Sequence, residues 1–165
     1  MSTDLRTAFE SAVPGPVHPT DAASLAETLA DAVEEPAVGT PLPFEGVSLP
    51  DAVETDFSPA SLEAAATGVT PAGLGIADYG TVTLASDAAG TELASLYVPR
   101  HVAVLAASDV VATMADAYER LDDEFAEGRT TQVLATGPSA TADMGTLVQG
   151  VHGPDETHVV VLEDR

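Results

Sequence analysis

The chain has no cysteine, no tryptophan and no lysine. Without cysteine it can hold no disulfide, no thiolate metal site and no cysteine-ligated iron–sulfur cluster, so a redox centre of that kind has to sit on another chain. Without lysine there is neither a P-loop amine nor a Schiff base. Aromatics make up only 4% of the residues, whereas the apolar fraction is 45% and consists mostly of Ala and Val, which predicts a layered core of small side chains. Positive charge is scarce as well: five Arg (Arg6, Arg100, Arg120, Arg129, Arg165) stand against 27 Asp and Glu, for a net charge of −22. No basic stripe is available for nucleic acid. The acids are dispersed; the longest clusters, Glu34-Glu35 and Asp122-Asp123-Glu124, are too short for an acidic tail. The excess therefore reads as the solvated surface of a halophilic protein in a salt-rich cytoplasm. No apolar run reaches the ~18 residues of a membrane span. The opening MSTDLRTAFESAV lacks the basic region and apolar core of a secretory signal, so a soluble cytoplasmic protein is expected.

The length of 165 residues suits one domain with a substantial core. Two helices are expected first, Leu5–Val13 and then Thr20–Val33, the second capped at Thr20 with Leu25, Leu29 and Val33 on one face. Glu35–Pro50, rich in proline, reads as an irregular connection with a short strand near Val47. Ser58-Pro59 opens another helix, with Gly68 just past its end. Beyond it the pattern changes. Gly80–Ser86 alternates as a strand does, and His101–Ala107 is an apolar run of the kind buried on both faces of a sheet. A helix from a cap at Ser108 to Glu127 presents Val111, Met114, Tyr118, Leu121 and Phe125, and Gly128 closes it. Thr130–Thr136 and Thr157–Glu163 are two further strands. The order predicts a three-layer α/β/α fold with a mainly parallel sheet. Residues 1–60 are expected as helical decoration on a core spanning 69–164.

Between the last two strands lies TGPSATADMGTLVQGVHGP (Thr136–Pro154), dense in glycine, proline and hydroxyl residues, a composition that shapes functional loops. Gly137-Pro138-Ser139 is expected where the carboxyl end of a strand meets a helix start, a place that binds carboxylates or phosphates. Ser139 and Thr141 add hydroxyls, and Asp143 repels an anion unless it bonds that ligand's own hydroxyl. The set is compatible with a small 2-hydroxy acid, and equally with helix capping by Ser139 or Thr141 and a first-turn acid at Asp143. A Ser139–Asp143–His152 triad is disfavoured, because a helix over Ala140–Gln149 would put Ser139 and His152 ~15 Å apart. His152 is open between a loop or partner role and a structural one. His18, His101, His152 and His158 lack metal-ligand spacing, so no metal site is expected. His101 is read as a satisfied core or edge residue. Arg100 is open between a surface ion pair and a carboxylate clamp, the pair being favoured.

Two segments, GIADYGTVTLAS (Gly75–Ser86) and TGPSATADMGTLVQGVHGP, resemble the LUD-domain family, in particular its lactate-utilisation C-subunit type. The likeness runs from about Val69 to Asp164. Where the family often has Ala-Glu-Thr-Gly-Thr this chain has Ala77-Asp78-Tyr79-Gly80-Thr81, and Ala140 stands where members often carry a basic residue. The resemblance implies a fold similar to sugar-phosphate isomerases and coenzyme A transferases. It also implies an accessory role in oxidising lactate to pyruvate beside iron–sulfur subunits, with no cofactor on this chain. Gly80, Thr81, Gly137, Ser139, Thr141, Asp143 and His152 are the candidate ligand-binding residues. A stand-alone transferase or isomerase-like enzyme and a regulatory ligand-binding domain are the alternatives on the same fold. The charge makes its own prediction. Below about 0.5 M salt, where screening lengthens, the fold should loosen; circular dichroism after dialysis to low salt checks this, and an unchanged spectrum refutes it.

Overall fold

The computed structural model describes residues 3–138, 140–143, 146–149 and 153–165, with 140–143 and 146–149 described by their backbone. In chain order the elements are α1 (Thr3–Ala12), β1 (Val17–Thr20), α2 (Leu25–Ala32), β2 (Ala37–Gly39), β3 (Val53–Glu54), α3 (Pro59–Ala64), β4 (Thr67–Pro71), β5 (Gly75–Ile76) and β6 (Thr81–Ala85). Then follow α4 (Thr91–Leu96), β7 (Arg100–Ala106), β8 (Val110–Val111), α5 (Met114–Ala126), β9 (Gln132–Ala135), β10 (Ala140–Asp143), β11 (Thr146–Gln149) and β12 (Glu156–Leu162).

Six strands form a parallel sheet in the order β1-β12-β7-β4-β2-β3. The apolar run foreseen at His101–Ala107 is its inner strand β7, and Val102, Ala103, Val104 and Leu105 are completely buried. Alternation sends Val102 and Val104 to one face, where Leu25 and Leu29 of α2 meet Val69, Val160 and Leu162. Ala103 and Leu105 face the other side, against Phe9 of α1, Val13 just after it, and Val82 and Leu84 of β6. A second sheet, β8-β5-β6-β9, lies on that side, and α5 covers it through Leu74, Ile76, Ala117 and Leu121. The mixed α/β architecture with a mainly parallel sheet is as the sequence predicted.

Several local expectations are corrected. Residues 1–60 are not helical decoration alone: they supply β1, β2 and β3, half of the main sheet. These strands are only two to four residues long, too short to show a period of two, and their partners lie far along the chain. The helix expected from Thr20 begins at Leu25, because residues up to Thr20 pair with β12. Ser58 does cap α3, accepting from the Ser61 N–H. Gly68, however, lies inside β4, where a Cβ would collide with the Ala94 carbonyl of α4. The helix expected from Ser108 starts instead at a Thr113–Asp116 capping box, and the β-branched Val110-Val111 pair joins the second sheet. Its buried positions are Ala117 and Leu121, whereas Tyr118 and Phe125 are 63% and 43% exposed.

His101 is the satisfied core residue expected. It is 1% exposed, and its Nε2 lies 2.9 Å from Thr70 Oγ1. Burial lowers its pKa from 6.5 to about 4. The unfolded chain therefore takes up a proton that the folded chain refuses, and stability present above pH 6.5 is lost as pH falls toward 4. The loss should reach a few kcal/mol at most, on the order expected for a fully buried imidazole. Denaturant midpoints measured across that range should decline, and the decline should flatten in His101→Gln.

Candidate functional site

The two motif segments meet at one place. In the first, Ala77–Gly80 joins β5 to β6, with Ala77 N donating to Val111 O at 2.9 Å and Asp78 N to Ala112 O at 3.0 Å. Gly80 has φ +60°, and a Cβ there would run into the Ala12 carbonyl at the end of α1. A side chain at this position would be both strained and obstructed. Next to it Thr81 is buried, and its Oγ1 is 2.8 Å from Oγ1 of Thr136, the first residue of the second segment. Gly137, at φ +116°, backs onto Pro14. The Pro14-Gly15-Pro16 turn lies so close to β12 that a Cβ on Gly15 would overlap the Thr157 carbonyl. Gly80, Thr81, Thr136 and Gly137 thus converge on the turn between α1 and β1, although they come from segments more than fifty residues apart.

Two cavities flank this point. One, of about 310 Å³, is lined by the Pro14–Pro16 turn, Pro138 and Asp155–His158. The other, of about 150 Å³, lies between Leu96, Val133–Gly137, Gly153, Pro154 and Thr157. A larger cavity of about 480 Å³ lies elsewhere, between Pro41, Leu42 and the Val47–Val53 stretch. Its lining offers hydroxyls and one carboxyl, Asp51, but no imidazole or guanidinium and no motif residue. The motif-rich pair of cavities is therefore the better candidate site.

Beyond Gly137-Pro138 the structure departs from the expected helix start. Residues 140–143 and 146–149 form an antiparallel pair, with Ala140 opposite Gln149, Thr141 opposite Val148 and Asp143 opposite Thr146. The β-branched Thr141, Thr146 and Val148 favour extended backbone, and this outweighs the capping pattern. A helix N-terminus for an anion is accordingly not present at these residues, nor does β9, an antiparallel strand of the second sheet, deliver them to the carboxyl edge of the parallel sheet. The ~15 Å helical separation invoked against the triad also falls away. Ser139 and His152 lie outside the described residues, as do the side chains of Thr141 and Asp143.

The sequence reading did not bring together His18, Glu156 and His158. His18 Nε2 is 3.2 Å from His158 Nδ1, and His158 Nε2 is 3.7 Å from Glu156 Oε2. His158 is held below the ordinary imidazole value by burial first, then by the charges of Arg100 and His18, with Glu156 opposing. Arg100 forms ion pairs rather than a free clamp: its Nη2 meets Glu34 at 2.9 Å and Glu156 at 2.7 Å, and its Nη1 reaches the Ala32 carbonyl. No spacing signal could have found this group, because it depends on the long-range pairing of β1 with β12.

Residues 21–162 match the family model described as LUD domain, so the likeness extends well before the two motif segments. Lactate utilization protein C of Shouchella clausii is 33% identical over 131 residues, which are 78% of this chain and 57% of that protein. The protein of the same name from Bacillus licheniformis is 34% identical over 119 residues, 70% of this chain and 50% of its own. The chain spans about half the length of the curated relatives it matches. Among solved structures, a DUF162 family protein from Deinococcus radiodurans shares the fold with a TM-score of 0.75 over 99% of both chains at 24% identity. The convergence point makes a testable demand. Gly80→Ala should cost about 2 kcal/mol or more, and Thr81→Val about 1 kcal/mol from the lost hydroxyl pair; denaturant midpoints measure both.

Proposed function

The chain belongs to the LUD domain family, and we propose that it is an accessory subunit of a lactate-utilisation system in which lactate is oxidised to pyruvate and the electrons pass through iron–sulfur partner chains. The names of its curated relatives support the lactate assignment. The absence of cysteine requires that any cysteine-ligated cluster be carried by a partner. The observation that carries a ligand-binding role is the convergence of both family motifs on the cavities around Pro14–Pro16. In this reading the pocket takes a small 2-hydroxy acid. Gly137 and Pro138 form its base, and Ser139, Thr141, Asp143 and His152 supply the polar groups that hold carboxylate and hydroxyl.

The cavity lining favours a subunit over a stand-alone transferase or isomerase. Its acids among the described residues are Asp155 and Glu156, and Glu156 is engaged by the Arg100 guanidinium at 2.9 and 2.7 Å. A carboxylate held by a guanidinium in this way is not free to attack a substrate.

Affinity capture of the tagged chain from its own lysate in high salt, with iron assayed on the eluate, should bring down additional chains and stoichiometric iron. A clean single band without iron refutes the subunit assignment. The pocket is tested separately. Ser139→Ala with Asp143→Asn should lower lactate-dependent dye reduction by the complete system by about tenfold or more, the equivalent of losing a hydrogen bond to a charged ligand; unchanged reduction refutes the pocket.

A further inference from the structure

His18 stands on β1 opposite Val160 of β12, and His158 lies two residues earlier on β12, so the two rings reach each other diagonally across neighbouring parallel strands. Their nitrogens are 3.2 Å apart, whereas the ring centroids are 5.3 Å apart with planes inclined by 24°. The difference between those two distances is about two ring radii. Both nitrogens therefore lie close to the line joining the rings, and the contact is an in-plane N–H···N hydrogen bond rather than a face-to-face stack. Lone pairs aimed at each other across so short a gap leave no room for a metal ion, whose bonds to two imidazoles need ~2.0 Å each.

Such a bond holds a single proton between two nitrogens. It forms when both rings are neutral and when one is protonated. It fails when both are protonated, because two N–H groups then face each other and two positive charges lie side by side. The charged neighbours come from every strand and segment around the pair. Glu156 of β12 faces His158 Nε2 at 3.7 Å, Arg100 of β7 holds that same carboxylate, and Glu34, just after α2, holds Arg100 in turn. Asp155 lines the adjoining cavity.

We infer that the His18–His158 pair is a proton-operated latch that fastens β1 and the Pro14–Pro16 turn to β12, closed with no proton or one and released by the second. β1 is suited to release. It is an edge strand of only four residues, paired on one side alone. Backbone bonds at its two ends, Val159 N to Pro16 O at 3.0 Å and Glu163 N to Thr20 O at 2.8 Å, flank the histidine contact. The turn that leads into it is a wall of the 310 Å³ cavity, and His158 lines the same cavity. Acid therefore opens this cavity from the β1 side. Burial, Arg100 and His18 all oppose protonation of His158 against the weaker pull of Glu156, which places release on the acid side of neutrality. The latch does not depend on what the cavity binds, and its test makes no use of lactate or of partner chains.

Imidazole nitrogen NMR of the intact chain in constant high salt, from about pH 8 to about pH 5, tests the pairing. The nitrogen–nitrogen coupling across the His18–His158 hydrogen bond should be present at about pH 8 and lost toward about pH 5. Over the same range amide protection, corrected for intrinsic exchange, should show a step of about tenfold or more in the non-proline residues of Val17–Thr20 that Val102–Leu105 do not share. Burial of His101 lowers the stability of the whole fold below pH 6.5, a loss shared by β1 and β7 that persists in His158→Gln and is thereby separated from the latch. In His158→Gln the pH-dependent step in β1 should vanish. Absence of that coupling at about pH 8, or its survival to about pH 5, overturns the latch, as does β1 protection that follows β7 throughout or a step that persists in His158→Gln. If the variant does not fold, the coupling in the natural chain decides alone.

Discussion

Burial of Val102–Leu105 from both sides of the main sheet fixes the layer order of this molecule. A strand with apolar side chains on each face has to be covered twice. Here α2 covers one face, and α1 with the second sheet covers the other. Because the flanking strands β4 and β12 pair with β7 in parallel register, their first residues are brought to one edge of the sheet, with Glu156 opposite Arg100 and Thr67 opposite Arg100 on the other side. The small side chains that dominate the composition let these layers approach closely, and Gly68 beneath the Ala94 carbonyl is the clearest instance.

That edge is where the candidate site is built. β12 starts there, preceded by Gly153-Pro154, and the two paired strands 140–143 and 146–149 occupy the chain between β9 and β12. The turn joining α1 to β1 packs against the same point, since Gly80 backs onto the end of α1, Gly137 onto Pro14 and Gly15 onto Thr157. Three separate segments are thereby locked together by contacts that admit no side chain. The chemistry they enclose is imidazole, carboxylate and hydroxyl, with the nearest guanidinium, Arg100, already engaged by two acids.

Charge shapes the rest of the surface. All five arginines form ion pairs with acids of the same chain, among them Arg6 with Glu163, Arg120 with Asp109 and Arg129 with Glu127. Pairs as exposed as these contribute little individually. Their consequence is that the acid excess is left without a concentrated cationic counterweight.

The long, strongly patterned elements were legible in the sequence: β7 from its unbroken apolar run, α3 from Ser58-Pro59, and the strands at 81–85, 132–135 and 156–162 from their composition. The sequence also singled out Gly75–Ser86 and Thr136–Pro154, whose turn formers stand out locally. The short strands β1, β2 and β3 were not legible, because two to four residues carry no period and owe their conformation to partners elsewhere in the chain. For the same reason the sequence could not show that Thr81 meets Thr136 or that His18 meets His158. By itself the sequence determined the layer chemistry, the excess of acid and the exclusion of thiol and amine chemistry, all properties of residues counted or read in order. Only the tertiary structure decided which polar groups stand together, because parallel pairing joins strands at long sequence separation and no local pattern encodes it.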